Sequence, residues 1–431
     1  LLGQAALGDH FLGRHLRMAG LAVGQLERLK MIVRPNVALI VETAVVYGRQ
    51  ILHGIARYMR AHGSWSVFLD ERELLAPPPD WLIDWDGAGV ICRPTTPELA
   101  RRLLSRGLPV VDLNDRYGNL GIPHIGSDMR AVGRMAAEHL LERGFNNITF
   151  CGFSGEIWSG ERLAGVEEAV RGRGHLHESF ESPVIGLREH VWQEERDRIA
   201  AWLRPLPRPL GVVACNDVRG HHVLDACRML GLVAPEEVAV IGVDNAETFC
   251  ELCDPPLSSV VPDAERVGFE AAALLNRLMA GVPPPSENLR IPPIGVVTRR
   301  STDVVAVDDP MIARAVHFIR EQVAAGIGVD DILAVLPVSR SGLERGFRRH
   351  FGHSPHEEIR QARLKRVKQL LAETDWPLER IAASAGYDHP EYMMAQFKRE
   401  IGMTPTEWRR SPEASYFIRP IKKPLAGDKG S

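Results

Sequence analysis

The sequence lacks any apolar run long enough to cross a bilayer, so nothing in it calls for a membrane-spanning helix and no membrane partner is expected. Its six cysteines are scattered through 431 residues without the spacing of a disulfide framework, which suits a reducing, cytoplasmic setting. No glycine-rich loop closes on Lys followed by Ser or Thr, so a phosphate cradle is missing. "GFSG" at 152–155 falls short of a nucleophile elbow. Cys250 and Cys253 in "CELC" have metal-like spacing, but no second ligand pair follows, and the adjacent His221 and His222 do not share a helix face. No metal, no cofactor and no nucleophile–base constellation is therefore expected, and an enzyme is disfavoured.

What is present begins at Asn36. Short apolar strands such as "NVALIV", "GAGVICR", "NITFCGF", "LGVVACND" and "VAVIGVDN" alternate with helices of apolar periodicity, among them "GRQILHGIARYMRAHG" and "GERLAGVEEAVRGRG". Most strands are closed by polar residues or glycine. Strand–helix alternation predicts parallel sheets with right-handed crossovers, whose ligands lie beyond the carboxyl ends of the strands. After "IPPIGVVTRR" the grammar changes: "STDVVAVDD" reads as a polar connector, and only helices follow. Asp309 and Pro310 predict a helix start, and Ser354 with Glu357 predicts a capping box on a long helix.

Charge is distributed unevenly. Between Arg340 and Lys368 nine basic residues face three acidic ones, in a chain whose net charge is only -3. A basic block signals nucleic acid when it sits on a reading motif. Such a motif occurs twice. In "PLERIAASAGYDHPEYMMAQFKRE" (377–400), Ile381, Ala382 and Ala385 give one helix an apolar side, Gly386 ends it, Tyr387 fills the corner, and Asp388 can cap the next helix. There Tyr392, Met393 and Phe397 are expected to pack inward. A looser copy, "VDDILAVLPVSRSGLERGFRRHFG", packs through Ile332, Leu336, Val338, Leu343 and Phe347, with Ser339 as cap and Pro337 where the second copy has glycine. Each copy is a helix-turn-helix candidate whose second helix would enter a major groove. The long helix between them carries Ile359, Leu364, Val367 and Leu371 on one face. It could set the two reading helices about 34 Å apart, one turn of duplex.

Residues 310–410, including "RLKRVKQLLAETDWPLERIAASAGYDHPEYMMAQFKREIGMTPTEWRR", resemble the AraC-type DNA-binding domain. The resemblance implies that Ser339, Arg340, Ser341 and Arg345 form one base-facing surface, and His389, Glu391, Met394 and Ala395 the other. Arg345 is the best base reader, since a guanidinium can bond two acceptors on guanine. Arg348, Arg349, Lys398 and Arg399 would hold phosphates. Ala395 stands where many relatives place a long polar reader.

The segment from Asn36 to Thr298 resembles the periplasmic-binding-protein fold of LacI-type regulators, through "LPVVDLNDR", "GERLAGVEEA", "VVACND" and "VAVIGVDNAETFCELCDPPLSSV". The order of a LacI-like sensor followed by an AraC-like domain is similar to that of the xylose-operon regulators, as are "YGRQILHGIARYMR" and "RRSTD". The implied fold is a two-lobed α/β periplasmic-binding-protein-like sensor followed by an all-α double helix-turn-helix domain. The implied ligand is a small sugar held between the lobes, D-xylose or another pentose. By family position its contacts are Asp244, Asn216, Arg162, Asp115 and Arg116. Tyr47 and Arg49 follow the first strand and can face the cleft, and Trp158 can stack on a sugar ring.

The expected organisation is an extension at 1–30 with Met31 as the natural start, a sensor at 31–298, a linker at 299–309, the DNA-binding domain at 310–410 and a disordered tail at 411–431. The expected assembly is a homodimer on a double-stranded DNA operator, activating pentose-use genes. The competing readings are a sugar-binding transport component, which leaves the C-terminal domain unexplained, and an α/β sugar-modifying enzyme.

Overall fold

The computed structural model describes residues 34–411 apart from 64, 70, 74–75, 185–188 and 305. The expectations for the extension at 1–30, for Met31 and for the tail beyond Ser411 lie outside the described residues.

The chain opens with β1 (Asn36–Ile40), α1 (Val46–His62), β2 (Ser66–Leu69), β3 (Gly89–Cys92), α2 (Pro97–Ser105), β4 (Val110–Asp112) and β5 (Ile125–Ser127). It continues through α3 (Met129–Leu141), β6 (Asn147–Phe153), α4 (Ile157–Val170), β7 (His175–Leu176), β8 (Phe180–Ser182), α5 (Glu189–Leu203), β9 (Leu210–Ala214), α6 (Asp217–Leu230), β10 (Val238–Val243), α7 (Glu247–Leu252) and β11 (Ser258–Val261). Then come α8 (Ala264–Met279), β12 (Leu289–Ile291) and β13 (Gly295–Val297).

Among the described residues, one compact unit comprises 34–127 and 263–291, and the other 128–262 and 292–411. The first holds a parallel sheet in the order β2-β1-β3-β4. β1 is buried after its first residue, as a strand covered on both faces must be. Ile51, Ile55 and Tyr58 of α1 pack with Val267, Ala271 and Leu275 of α8 on one side of that sheet.

The second unit holds a seven-stranded sheet in which β11-β10-β9-β6 are central and β13 closes one edge antiparallel. β10 shows why an unbroken apolar run suits this place. Ala239, Ile241 and Val243 enter one core with Val132, Leu140 and Phe150, while Val238 and Val240 enter the opposite core with Leu203, Val223 and Leu224. All six cysteines are buried free thiols.

The polar connector is docked against the lobe over its first part. Arg300–Thr302 forms a short turn in which Ser301 and Thr302 are buried. The Ser301 hydroxyl donates to the Val240 carbonyl at 2.6 Å, and the Thr302 hydroxyl lies 2.7 Å from His139 Nε2. Burial pushes His139 down to about 3, with Arg143 adding to the effect, so this ring stays neutral.

The helical domain consists of α9 (Pro310–Gln322), α10 (Val329–Val335), α11 (Arg340–Phe351), α12 (Pro355–Glu373), α13 (Leu378–Ser384), α14 (Pro390–Ile401) and α15 (Pro405–Arg409). Asp309 caps α9 as expected, accepting from Met311 N–H at 2.9 Å. Two separate cores flank α12: Ile359 joins α9, α10 and α11, whereas Val367, Leu370 and Leu371 join α13, α14 and α15. Spanning 19 residues, α12 is about 28 Å long at 1.5 Å per residue.

Three local expectations are corrected. Asp388 does not cap α14; His389 holds the cap position, without a side-chain bond. Ser354 caps α12, but the Glu357 carboxylate turns to Arg360 instead of closing the box. Tyr392 does not pack inward: it is 56% exposed, because Met393 and Phe397 already fill the core side of α14.

Candidate effector site and nucleic-acid interface

In the second unit, β9 and β10 end in the loops that carry Asn216 and Asp244, and α4 after β6 carries Trp158 and Arg162. Buried Arg162 donates to the Cys215 carbonyl and extends its other arm to the Asp244 carboxylate at 3.6 Å. Asp244 and Asn245 have φ of 100° and 47°. Non-glycine residues enter this left-handed region at a cost, which is typical of loops held for function. Asp244 does not cap the following helix: Ala246 occupies that position.

Asn216 is committed in part, since its Oδ1 accepts from Arg219 N–H at 3.0 Å as the cap of α6. Trp158 donates to Glu156 at 2.8 Å, and the Arg162 guanidinium sits 4.9 Å from the centre of its ring, so a cation already occupies one face.

Asp217 is a residue that sequence reasoning passed over. It is buried, accepts from Ala246 N–H at 2.8 Å and from the Ser259 hydroxyl at 2.6 Å, and thereby clamps the loop that carries Asp244. Burial, aided by the nearby Asp244 charge, pushes its carboxyl up to about 7. Its signal was the acid following the cap in "ACND".

In the first unit, β1, β3 and β4 end near Glu42, Arg93 and Asp115. Arg93 joins them, reaching Glu42 at 2.7 Å and Asp115 at 2.8 Å, with its guanidinium 5.2 Å from the centre of the Tyr47 ring. Burial opposes the Arg93 charge, but Asp115 and Glu42 outweigh it and hold the guanidinium protonated. Glu42 and Arg93 were missed, although each is the polar residue that closes a predicted strand.

Tyr47 is buried with its hydroxyl 2.8 Å from Ser127 Oγ. Arg49 is exposed and donates to the carbonyls of Thr43 and Ala44, so it shapes the loop before α1. Arg116 is half-buried, its backbone N–H bound to Asn114 Oδ1 at 3.1 Å.

In the helical domain, Ser339 caps α11 by accepting from Gly342 N–H at 3.1 Å. Arg340, Ser341, Arg345 and Arg348 then line a shallow open groove with Glu344, and Arg349 is exposed beside it. Arg340 is ion-paired to Asp330 of the preceding helix. Arg345 and Arg349 have no ion-pair partner among the described residues. On α14, His389, Glu391, Ala395, Lys398 and Arg399 are exposed, while Met394 is half-buried against the second core.

The cations of α12 are used differently. Arg360 pairs with Glu357 and Glu400, Arg363 donates to the Ile327 carbonyl at 3.1 Å, and Lys365 pairs with Asp303. Much of the basic block therefore ties the domain together, and the outward positive charge belongs to α11.

Comparison with known proteins assigns residues 36–124 to the XylR N-terminal domain, 137–302 to the periplasmic binding protein-like domain and 332–411 to a helix-turn-helix domain. The chain is 32% identical over 387 residues to the xylose operon regulatory protein of Escherichia coli K12, covering 87% of this chain and 97% of that protein. It is 31% identical over 384 residues to the protein of the same name from Haemophilus influenzae, covering 87% and 98%. Among solved structures, the one described as the xylose-binding transcription activator xylR matches with a TM-score of 0.73 at 31% identity, covering 87% and 98%.

Proposed function

From the premise that the chain belongs to the family of xylose operon regulatory proteins, and is a DNA-binding transcription regulator, we propose that its effector is D-xylose or a closely related pentose. The observation that carries this reading is a similarity extending through sensor and helix-turn-helix domain together, over nearly the full length of each relative.

The chemistry supports it. A buried sugar hydroxyl must regain the hydrogen bonds it gives up to water. A carboxylate accepts from two adjacent hydroxyls, and a guanidinium or amide donates to their lone pairs. Asp244, Arg162 and the amide of Asn216 offer that set in one lobe, and Asp115 with Arg116 in the other. Glu42 and Arg93 extend the set, and Trp158 supplies an apolar ring edge. Tyr47 and Arg49 serve as supports of the loop and helix beside them. On DNA, Ser339, Arg340, Ser341 and Arg345 read base edges, His389, Glu391, Met394 and Ala395 face the next groove, and Arg348, Arg349, Lys398 and Arg399 hold phosphates. The protein acts in the cytoplasm as a homodimer, placing four helix-turn-helix units on its operator and activating pentose-use genes. No helix among the described residues is long and apolar enough to cross a membrane.

The test combines both halves. D-xylose should raise the melting temperature and change affinity for a promoter fragment by about 5–150-fold, the usual range of allosteric coupling. Asp244→Ala should abolish the sugar-induced shift and leave sugar-free DNA binding in place. Absence of preference for any promoter fragment, with every pentose tried, would refute the reading.

A further inference from the structure

We propose that Arg299 is the positioning residue through which the sugar loop governs the DNA-binding domain. The inference rests on the regulator reading above and adds the route of its coupling. One arm of the Arg299 guanidinium donates to Asn245 Oδ1 at 2.9 Å, and the other to the Leu257 carbonyl at 3.0 Å. Asn245 shares with Asp244 the strained left-handed stretch of the loop, a conformation that persists only while its surroundings enforce it. Ser259 and Asp217 hold the loop through the N–H groups of Asn245 and Ala246, and Arg299 holds only the Asn245 side chain. Any ligand that draws Asp244 toward itself shifts the acceptor held by Arg299.

The residues directly after Arg299 grip the helical domain. Arg300 pairs with Glu321 at the end of α9, and Asp303 pairs with Lys365 in the middle of α12. Between them, Ser301 and Thr302 are locked into the sheet, so this short segment has one rigid purchase on the lobe and two on the domain. A guanidinium with two arms at fixed geometry suits the first position, and an ammonium cannot satisfy both acceptors in the same way. Coupling then has a physical carrier: a strained loop, one side chain that holds it and a short strap that ties the same chain segment to two helices.

The experiment uses the full chain, D-xylose and a promoter fragment that it binds. Affinity for DNA is measured with and without sugar, and affinity for sugar with and without DNA, since thermodynamic linkage requires both ratios to agree. In Arg299→Ala the ratio should fall to within about twofold of one, from about fivefold or more in the natural sequence, while sugar-free DNA affinity and DNA-free sugar affinity stay within about threefold. Arg299→Lys should not restore it. Lys365→Met should weaken the ratio in the same direction from the far end.

Retention of the natural ratio in Arg299→Ala would overturn the proposal, as would parallel loss of both basal affinities, the mark of a structural staple. Should Arg299→Ala not fold, Asn245→Ala and Lys365→Met test the route from either end, and an unchanged ratio in both overturns it. A ratio of one in the natural sequence would instead overturn the regulator reading, and this inference with it.

Discussion

In the first helix-turn-helix copy, α11 exposes Arg340, Arg345, Arg348 and Arg349; in the second, α14 exposes Glu391, Tyr392 and Ala395 ahead of Lys398 and Arg399. Their inner faces are alike, with Leu343 and Phe347 in one core and Met393 and Phe397 in the other, each pair one helical turn apart. Packing therefore constrains the two copies equally, while their outward chemistry has diverged. The corners differ too. Gly386 turns the second with φ of 77°, whereas the first leaves its helix through extended Leu336 and turns at Pro337, where Val338 N–H donates to the Leu336 carbonyl at 2.8 Å.

The copies also differ in their attachment to the sensor. α9, whose apolar side builds the first core, sets Arg320 3.4 Å and His317 3.6 Å from Glu236, a fully buried carboxylate of the sensor lobe. The half that carries the exposed arginines of α11 is thus the half gripped by the sensor lobe.

The largest effect should come from cutting that grip. Arg320→Ala leaves Glu236 buried with much of its compensation gone, a change that typically costs about 3–5 kcal/mol. Urea unfolding should report the loss, and adding Glu236→Gln should recover most of it. Hydrogen exchange should place the loosening in α9–α11 and spare α13–α15. Equal loosening of both halves would break the comparison.

Next comes Gly386→Ala. An added Cβ would press on the Val323 carbonyl oxygen, in a backbone conformation that L-residues avoid. The strain alone costs on the order of 1–3 kcal/mol. Pro337→Ala at the matching corner should cost under about 1 kcal/mol, chiefly through the unfolded chain. Similar melting temperatures for the two variants would show that the corners are not built differently.

Arg345→Ala tests the reading chemistry. It should weaken operator binding by about 1–3 kcal/mol and relax preference at a single base pair. Glu391→Ala in the second copy should strengthen binding overall, because it removes an exposed negative charge from the helix expected to approach a polyanionic duplex. Binding arrays over single-base operator variants separate the two outcomes. Uniform weakening by Arg345→Ala would move that residue from base reading to phosphate holding.

Much of this arrangement was legible in the sequence because it rests on periodicity. The alternating faces of β10, the two apolar segments of α12 and the Asp309 cap all follow from local spacing. What escaped rests on contacts between distant segments. Arg93 meets Glu42 and Asp115 only when three strand ends converge, and Asp217 clamps a loop 29 residues away. The docking of the connector was not legible, because Ser301 and Thr302 are polar by composition and their hydroxyls find buried partners only in the distant Val240 and His139. Tyr392 misled for the opposite reason: an aromatic ring looks internal, but its place on the helix was decided by neighbours that had already filled the core.

The smallest effect is one of pH, and it too divides the two copies. Glu236 beside His317 outweighs burial and raises the proton affinity of the ring. A raised histidine contributes stability that is complete below its unfolded value near 6.5 and fades as pH climbs through the higher folded value. The side chain is 37% exposed, so solvent screens the pair and the contribution should stay below about 1 kcal/mol. Stability relative to His317→Gln should therefore fall by a small amount as pH rises above about 6.5, and the fall should appear in the protection of α9–α11 rather than of α13–α15. A pH response of equal size in both segments would mean that the ring titrates without regard to the tie, and the asymmetry of attachment would then rest on Arg320 alone.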